Sequence, residues 1–156
     1  MASETATQRV LLVSSSGGVL LDLLALAPWW RRHDRAWAVV RAVDCESALA
    51  GERLHWISDC SAARPWGLAP GAAEAWRILR QERPGLVVSA GSGPAVPYFV
   101  LARALGIPTF WLSTLNLVST PGLAARICSR LASRVLLQRR SMRAAHPDGV
   151  VTGELY

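Results

Sequence analysis

An apolar run that breaks into small polar residues and glycine, then resumes at helical spacing, has few ways to fold. Arg9 to Trp30, RVLLVSSSGGVLLDLLALAPWW, is such a stretch. Val10 to Val13 is short and continuously apolar, the pattern of a strand buried on both faces. Ser14-Ser15-Ser16-Gly17-Gly18 makes a turn, and Gly18 to Ala27 is a helix that Pro28 stops. The unit is strand, glycine turn, helix. In open α/β sheets such a turn lies at the carboxyl end of its strand, where ligands bind. The free N–H groups that open the helix favour an anion there, above all a phosphate.

The same grammar recurs. Leu86 to Ser89 is a second apolar run, closed by Ala90-Gly91-Ser92-Gly93. Pro94 follows where proline suits the first turn of a helix, which runs to Leu105 and stops at Gly106. Further strands are expected at Ala36–Ala42, Arg53–Ile57, Pro108–Leu112 and Arg134–Gln138, with a last short strand or exit segment from Val150 to Gly153. Asp44 is placed to cap a short helix through Leu49, and longer helices are expected over Ala72–Glu82 and from Pro121 to about Ala132. Ser58–Gly71, with Pro65, Gly67 and Pro70, is expected to be a long loop, and Ser113–Thr120 a polar one. Strands alternating with helices predict an α/β fold with a doubly wound, Rossmann-like parallel sheet. Residues 1–8 form a flexible N-terminus and residues 9–156 one domain.

In a right-handed parallel sheet both glycine turns open at one edge. Ser15, Ser16, Gly17 and Gly18, with Gly91, Ser92 and Gly93, are therefore the candidate phosphate-binding residues, and a diphosphate fits between two such turns. The plainer alternative is that the glycines only permit tight helix–strand packing. A dinucleotide site is a weaker rival. Neither turn gives G-x-G-x-x-G, because Val96 stands at the third glycine, although Asp44 is placed to hold a ribose hydroxyl. The net charge is +6 and every cationic side chain is arginine, so a P-loop, a Schiff-base lysine and a kinase-type site are excluded. His33, His55 and His146 lack metal-ligand spacing, Cys45, Cys60 and Cys128 form no C-x-x-C, and neither a metal nor a cofactor is expected. Arg126, Arg130 and Arg134, extended by Arg139, Arg140 and Arg143, form a basic patch suited to anionic lipid, a diphosphate or an acidic partner. No nucleic-acid module accompanies it, so no nucleic-acid partner is expected. Trp29-Trp30-Arg31-Arg32 suits either a membrane interface or a helix end packed on the sheet. No apolar run reaches the roughly 18–20 residues of a membrane span, and MASETATQRV lacks the pattern of a signal peptide, so a cytoplasmic location is expected.

Four blocks together carry a family resemblance: VLLVSSSGG with its leucine-rich helix, AWRILRQERPGLVVSAGSGPAVPYFVLARALGIPTFWLS, STPGLAARICSRLASRVLLQ, and VVTGELY. They resemble the anchoring, acceptor-binding subunit of two-component UDP-N-acetylglucosamine transferases of Asn-linked glycan synthesis, with its bacterial exopolysaccharide relatives. The resemblance covers nearly the whole chain from Arg9 and is most specific in ERPGLVVSAGSGPAVP. It implies the N-terminal half of a GT-B glycosyltransferase, similar to the peptidoglycan lipid I transferase. Such a half binds a lipid-diphosphate-linked sugar acceptor at the inner face of the cell membrane. A separate small GT-B C-terminal-half protein binds the UDP-sugar, and transfer is inverting and metal-independent. Ser16, Gly17 and Gly18 match the first acceptor loop, and Gly91, Ser92 and Gly93 the second. The chain departs in two places. Val19 stands where members usually have His, and Ser113 where they usually have Glu. Asp22, where the family usually has Glu, is the acid left as a catalytic candidate. These departures motivate a second expectation, a non-catalytic scaffold of the same fold, and a small nucleotide-binding Rossmann protein is the third.

Overall fold

The computed structural model describes residues 8–60, 65–114 and 122–153. The first seven residues of the expected flexible N-terminus, the polar loop from residue 115, Pro121 and the last three residues of VVTGELY lie outside them.

Among the described residues seven strands form one sheet: β1 (Val10–Ser14), β2 (Arg35–Val40), β3 (Leu54–Ile57), β4 (Leu86–Ser89), β5 (Thr109–Ser113), β6 (Arg134–Leu137) and β7 (Val150–Val151). Their order is β3-β2-β1-β4-β5-β6-β7 and every pair is parallel. The central strands β1 and β4 are buried along their whole length, which is why their sequences are unbroken apolar runs. Successive side chains alternate between the two faces. Leu11 and Val13 of β1, Val87 of β4 and Trp111 of β5 pack under α4 (Pro65–Glu82), α5 (Ala95–Ala104) and α6 (Leu123–Leu131). Val10, Leu12, Val88 and Leu112 face the other way, under α1 (Gly18–Ala25), α2 (Ala27–Trp30) and α3 (Val43–Ala48). The expected doubly wound, Rossmann-like parallel sheet is therefore the observed one.

Two expectations need correction, and an open alternative is narrowed. The first helix does not continue to Pro28; it ends at Ala25, and Pro28 lies in the first turn of α2, where a missing N–H costs nothing. The expected loop Ser58–Gly71 turns helical from Pro65, and Pro70 lies inside α4. Packing overrides local propensity there. A Cβ on Gly71 would lie 3.3 Å from Pro97 Cγ and 3.5 Å from Cys60 Sγ, so glycine lets α4 close on α5. Of the tryptophan pair, for which two alternatives stood, Trp30 packs on the sheet. Trp30 is 3% exposed, donates its indole N–H to the Leu23 carbonyl at 2.8 Å and meets Trp37 edge-to-face at 5.5 Å, while the Arg35 guanidinium lies 4.8 Å from its ring centre. It is a core residue with a cationic lid.

The amino edge of the sheet is tied by a polar network. Asp34, just before β2, accepts from Arg9 Nε at 2.6 Å and from Arg53 Nη2 at 2.9 Å. Glu82, the last residue of α4 and 4% exposed, pairs with His55 Nε2 at 2.6 Å and Arg53 Nε at 3.2 Å. His55 is thus a structural histidine. These ion pairs gather at the amino edge, and the glycine turns lie at the opposite, carboxyl edge.

Candidate functional site

After β1 the chain leaves to one face of the sheet, and after β4 to the other, although the two strands are neighbours. A crevice opens outside the carboxyl ends of such a strand pair. Both glycine turns lie on it, as their matching positions in the sequence imply. They touch through an unanticipated pair. A Cβ built on Gly91 would stand 3.0 Å from Val19 Cγ2 and 3.7 Å from Cγ1, so the Val19 side chain rests directly on Gly91. The residue at which the chain departs from the family pattern therefore joins the two turns.

Gly17 is the N-cap of α1, with φ 76° and ψ −137°. A Cβ there would meet nothing within 4 Å, so its need for glycine is one of backbone conformation, not of space. Gly17→Ala is accordingly expected to cost about 1–2 kcal/mol, read from the denaturant midpoint. A Gly17→Val test of ligand binding would carry the same strain.

The Gly17 N–H is already engaged: it donates to Asp44 Oδ2 at 2.9 Å. Asp44 is the second residue of α3, whose N-cap is Ala42, so it is not the cap that the sequence suggested. The Gly17 amide, ahead of contacts with Cys45, holds the Asp44 carboxyl below its ordinary value near 3.8. The bond is present above that ordinary value and is lost as pH falls through the lowered one. The Gly17 amide resonance is therefore expected to titrate with a midpoint below 3.8, and a midpoint at or above it would remove the assigned cause.

The second turn is built differently. Gly91 N–H donates to the neutral Ser89 hydroxyl at 3.3 Å. Ser92 adopts φ 78°, an uncommon left-handed conformation for a residue with a side chain. Its Oγ is buried without a hydrogen-bond partner among the described residues. Strain and an orphaned hydroxyl thus fall in the same turn. Thr114 Oγ1, just past β5 on a residue 1% exposed, is likewise unpartnered among the described residues. Ser14, Ser89 and Ser113 end β1, β4 and β5, all buried. Sequence reasoning passed over this row as a row, although VLLVS, LVVS and TFWLS each end an apolar run in serine.

Asp22, the catalytic candidate, sits in α1 at 1% exposure. Arg126, Arg130 and Arg134 line an open groove of about 690 Å³ with His146 and Asp148. That groove is floored by the start of β6, away from the turns, so these arginines do not extend a phosphate cradle on the carboxyl edge. Burial pushes the Cys45 thiol up to about 11 and the Cys128 thiol up to about 12, so neither is a thiolate nucleophile near neutral pH. Among the described residues no helix is long and apolar enough to cross a membrane.

No family model matches the chain. It is 33% identical over 165 residues to the UDP-N-acetylglucosamine--N-acetylmuramyl-(pentapeptide) pyrophosphoryl-undecaprenol N-acetylglucosamine transferase of Methylococcus capsulatus, covering 95% of this chain and 45% of that protein. The protein of the same name from Nitrosospira multiformis is 30% identical over 143 residues, covering 82% of this chain and 39% of its own length. The chain thus spans less than half of these relatives. Among solved structures, MurG of Acinetobacter baumannii superposes with a TM-score of 0.71 at 19% identity, covering 94% of this chain and 44% of its own. The UDP-N-acetylglucosamine 2-epimerase of Rickettsia bellii gives 0.75 at 10% identity, covering 96% and 45%. At such identities these two likenesses bear on fold alone. Together, sheet order and superposition give the chain a Rossmann-like fold shared with one half of these GT-B-type structures, and in sequence it is similar to part of the named transferases.

Proposed function

We propose that this chain is the acceptor-binding half of a two-component glycosyltransferase of polysaccharide or glycolipid synthesis. It holds a lipid-diphosphate-linked sugar between the turns after β1 and β4, and a small UDP-sugar-binding partner completes the active site. The observation that carries this reading is the meeting of the two turns at Val19 and Gly91, beside a strained Ser92 with an orphaned hydroxyl. Ser15, Ser16, Gly17 and Gly18 line one side of the diphosphate, and Gly91, Ser92 and Gly93 the other. The relatives' name includes a pyrophosphoryl-undecaprenol substrate, a ligand of this class. Val43 at 81%, Trp66 at 88% and Leu123 at 49% exposure open α3, α4 and α6. Helix starts in a parallel sheet share the carboxyl edge, so these residues give it an apolar rim suited to a membrane surface or the partner. Asp22, 1% exposed in α1, remains the acid proposed for catalysis beside these turns.

The test is to combine the chain with its UDP-sugar-binding partner and assay transfer from UDP-sugars to a lipid-diphosphate acceptor. Transfer that requires both components supports the reading. An intact complex that binds the acceptor and transfers no sugar favours the second reading, a non-catalytic scaffold. The specific observation behind that alternative is that Val19 packs on Gly91 and Ser113 is 7% exposed, at the two positions where a His and a Glu are usual.

A further inference from the structure

We propose that Asp44 is an internal competitor for the first turn, occupying its leading amide until an incoming diphosphate displaces it. The inference rests on the diphosphate reading given above. Gly17 precedes α1, so its N–H lies where the partial positive charge of the helix start is felt. The Asp44 carboxylate takes that N–H at 2.9 Å and brings a full negative charge to the same spot. A phosphate oxygen bound for Gly17 must find the amide released and the carboxylate moved aside.

The second turn carries no such acid. Its engaged amide, on Gly91, faces a neutral serine hydroxyl. The amides of Ser92 and Gly93 have no hydrogen-bond partner among the described residues, and the Ser92 hydroxyl has none either. The two turns are therefore unequal: the engaged amide of the first meets a full negative charge, that of the second a neutral hydroxyl. Asp44 is also free to leave. It is exposed, and no ion pair holds it among the described residues, whereas its neighbour Glu46 is paired with Arg41 Nε at 2.8 Å. Rotation of one side chain clears the first turn without moving the backbone. Diphosphate then binds in two stages, on Ser92 and Gly93 first and on Gly17 once Asp44 has swung out.

The experiment is a titration of inorganic pyrophosphate into the full chain, Asp44→Asn and Asp44→Ala, followed by backbone amide resonances and calorimetry. In the unaltered chain the Ser92 and Gly93 resonances are expected to move first, and Gly17 only at higher concentration. In Asp44→Ala the affinity is expected to tighten about five- to tenfold, with Gly17 moving alongside the others. Asp44→Asn keeps an acceptor oxygen without the charge and should fall between. Equal affinity in all three forms, with Ser92 and Gly93 still responding, overturns the competitor and leaves the diphosphate reading standing. Pyrophosphate that moves no amide at either turn in any form overturns the diphosphate reading itself.

Discussion

Gly91→Val is expected to lower stability by about 2–3 kcal/mol and to weaken pyrophosphate binding about tenfold. The cause is steric. Gly91 has no left-handed φ, so its backbone admits a side chain, but the first carbon of that side chain would lie 3.0 Å from Val19 Cγ2. Val19 packs between the turn and the core under α1, so relief of the contact displaces Val19 and with it the start of α1. The displacement falls on the crevice where the two turns meet. Chemical unfolding of Gly91→Ala, Val19→Ala and the double variant separates this cause from a general loss of glycine. Truncating Val19 makes room for the new Cβ, so the pair should couple by about 1 kcal/mol. Effects that simply add would leave the Val19–Gly91 contact without the role given to it.

That contact also marks the limit of what the chain's letters disclose. Two glycine turns after apolar runs were legible because strand, turn and helix each leave a local pattern, and a parallel sheet places such turns on one edge. Which residue crosses from one turn to the other depends on the neighbouring of β1 and β4, strands separated by more than seventy residues, and no local pattern encodes that approach. Asp44 shows the same limit differently. Its position after the second strand announced a cap or a ribose ligand, but its bond to Gly17 spans twenty-seven residues and follows from the pairing of β1 with β2. Trp30 was ambiguous because an indole flanked by arginines is equally at home at a membrane interface and under a cationic lid. Burial against Trp37 decides for the lid. In α4 the failure ran the other way. Pro70 and Gly71 signal a loop by propensity, yet the close approach to Pro97 makes that glycine the condition for the helix packing where it does.

At the other edge, Glu82→Ala is expected to be the most destabilising change in the polar network, by about 2–3 kcal/mol. Its carboxylate side chain is 6% exposed and serves two partners, at 2.6 Å to His55 Nε2 and 3.2 Å to Arg53 Nε. Removing one member of a buried pair usually costs more than that, because the partner is stranded. Here Arg53 is 44% exposed and can rehydrate, while His55 at 12% cannot do so freely, which brings the figure to the lower end. For a chain of this length the loss should appear as a melting temperature lower by about 6–10 °C. Glu82→Gln keeps the hydrogen-bonding oxygen and should lose less. A neighbouring acid sharpens the test. The Arg9 hydrogen bond, ahead of the help from Arg53, holds the Asp34 carboxyl below its ordinary value, so its contribution is present above that value and fades as pH falls through the lowered one. Acidification should therefore loosen the same corner that Glu82→Ala loosens. The turns lie at the far ends of the strands, so pyrophosphate affinity of the folded fraction should be unchanged in Glu82→Ala. A variant that melts as expected but also loses that affinity would mean that the two edges of the sheet are coupled.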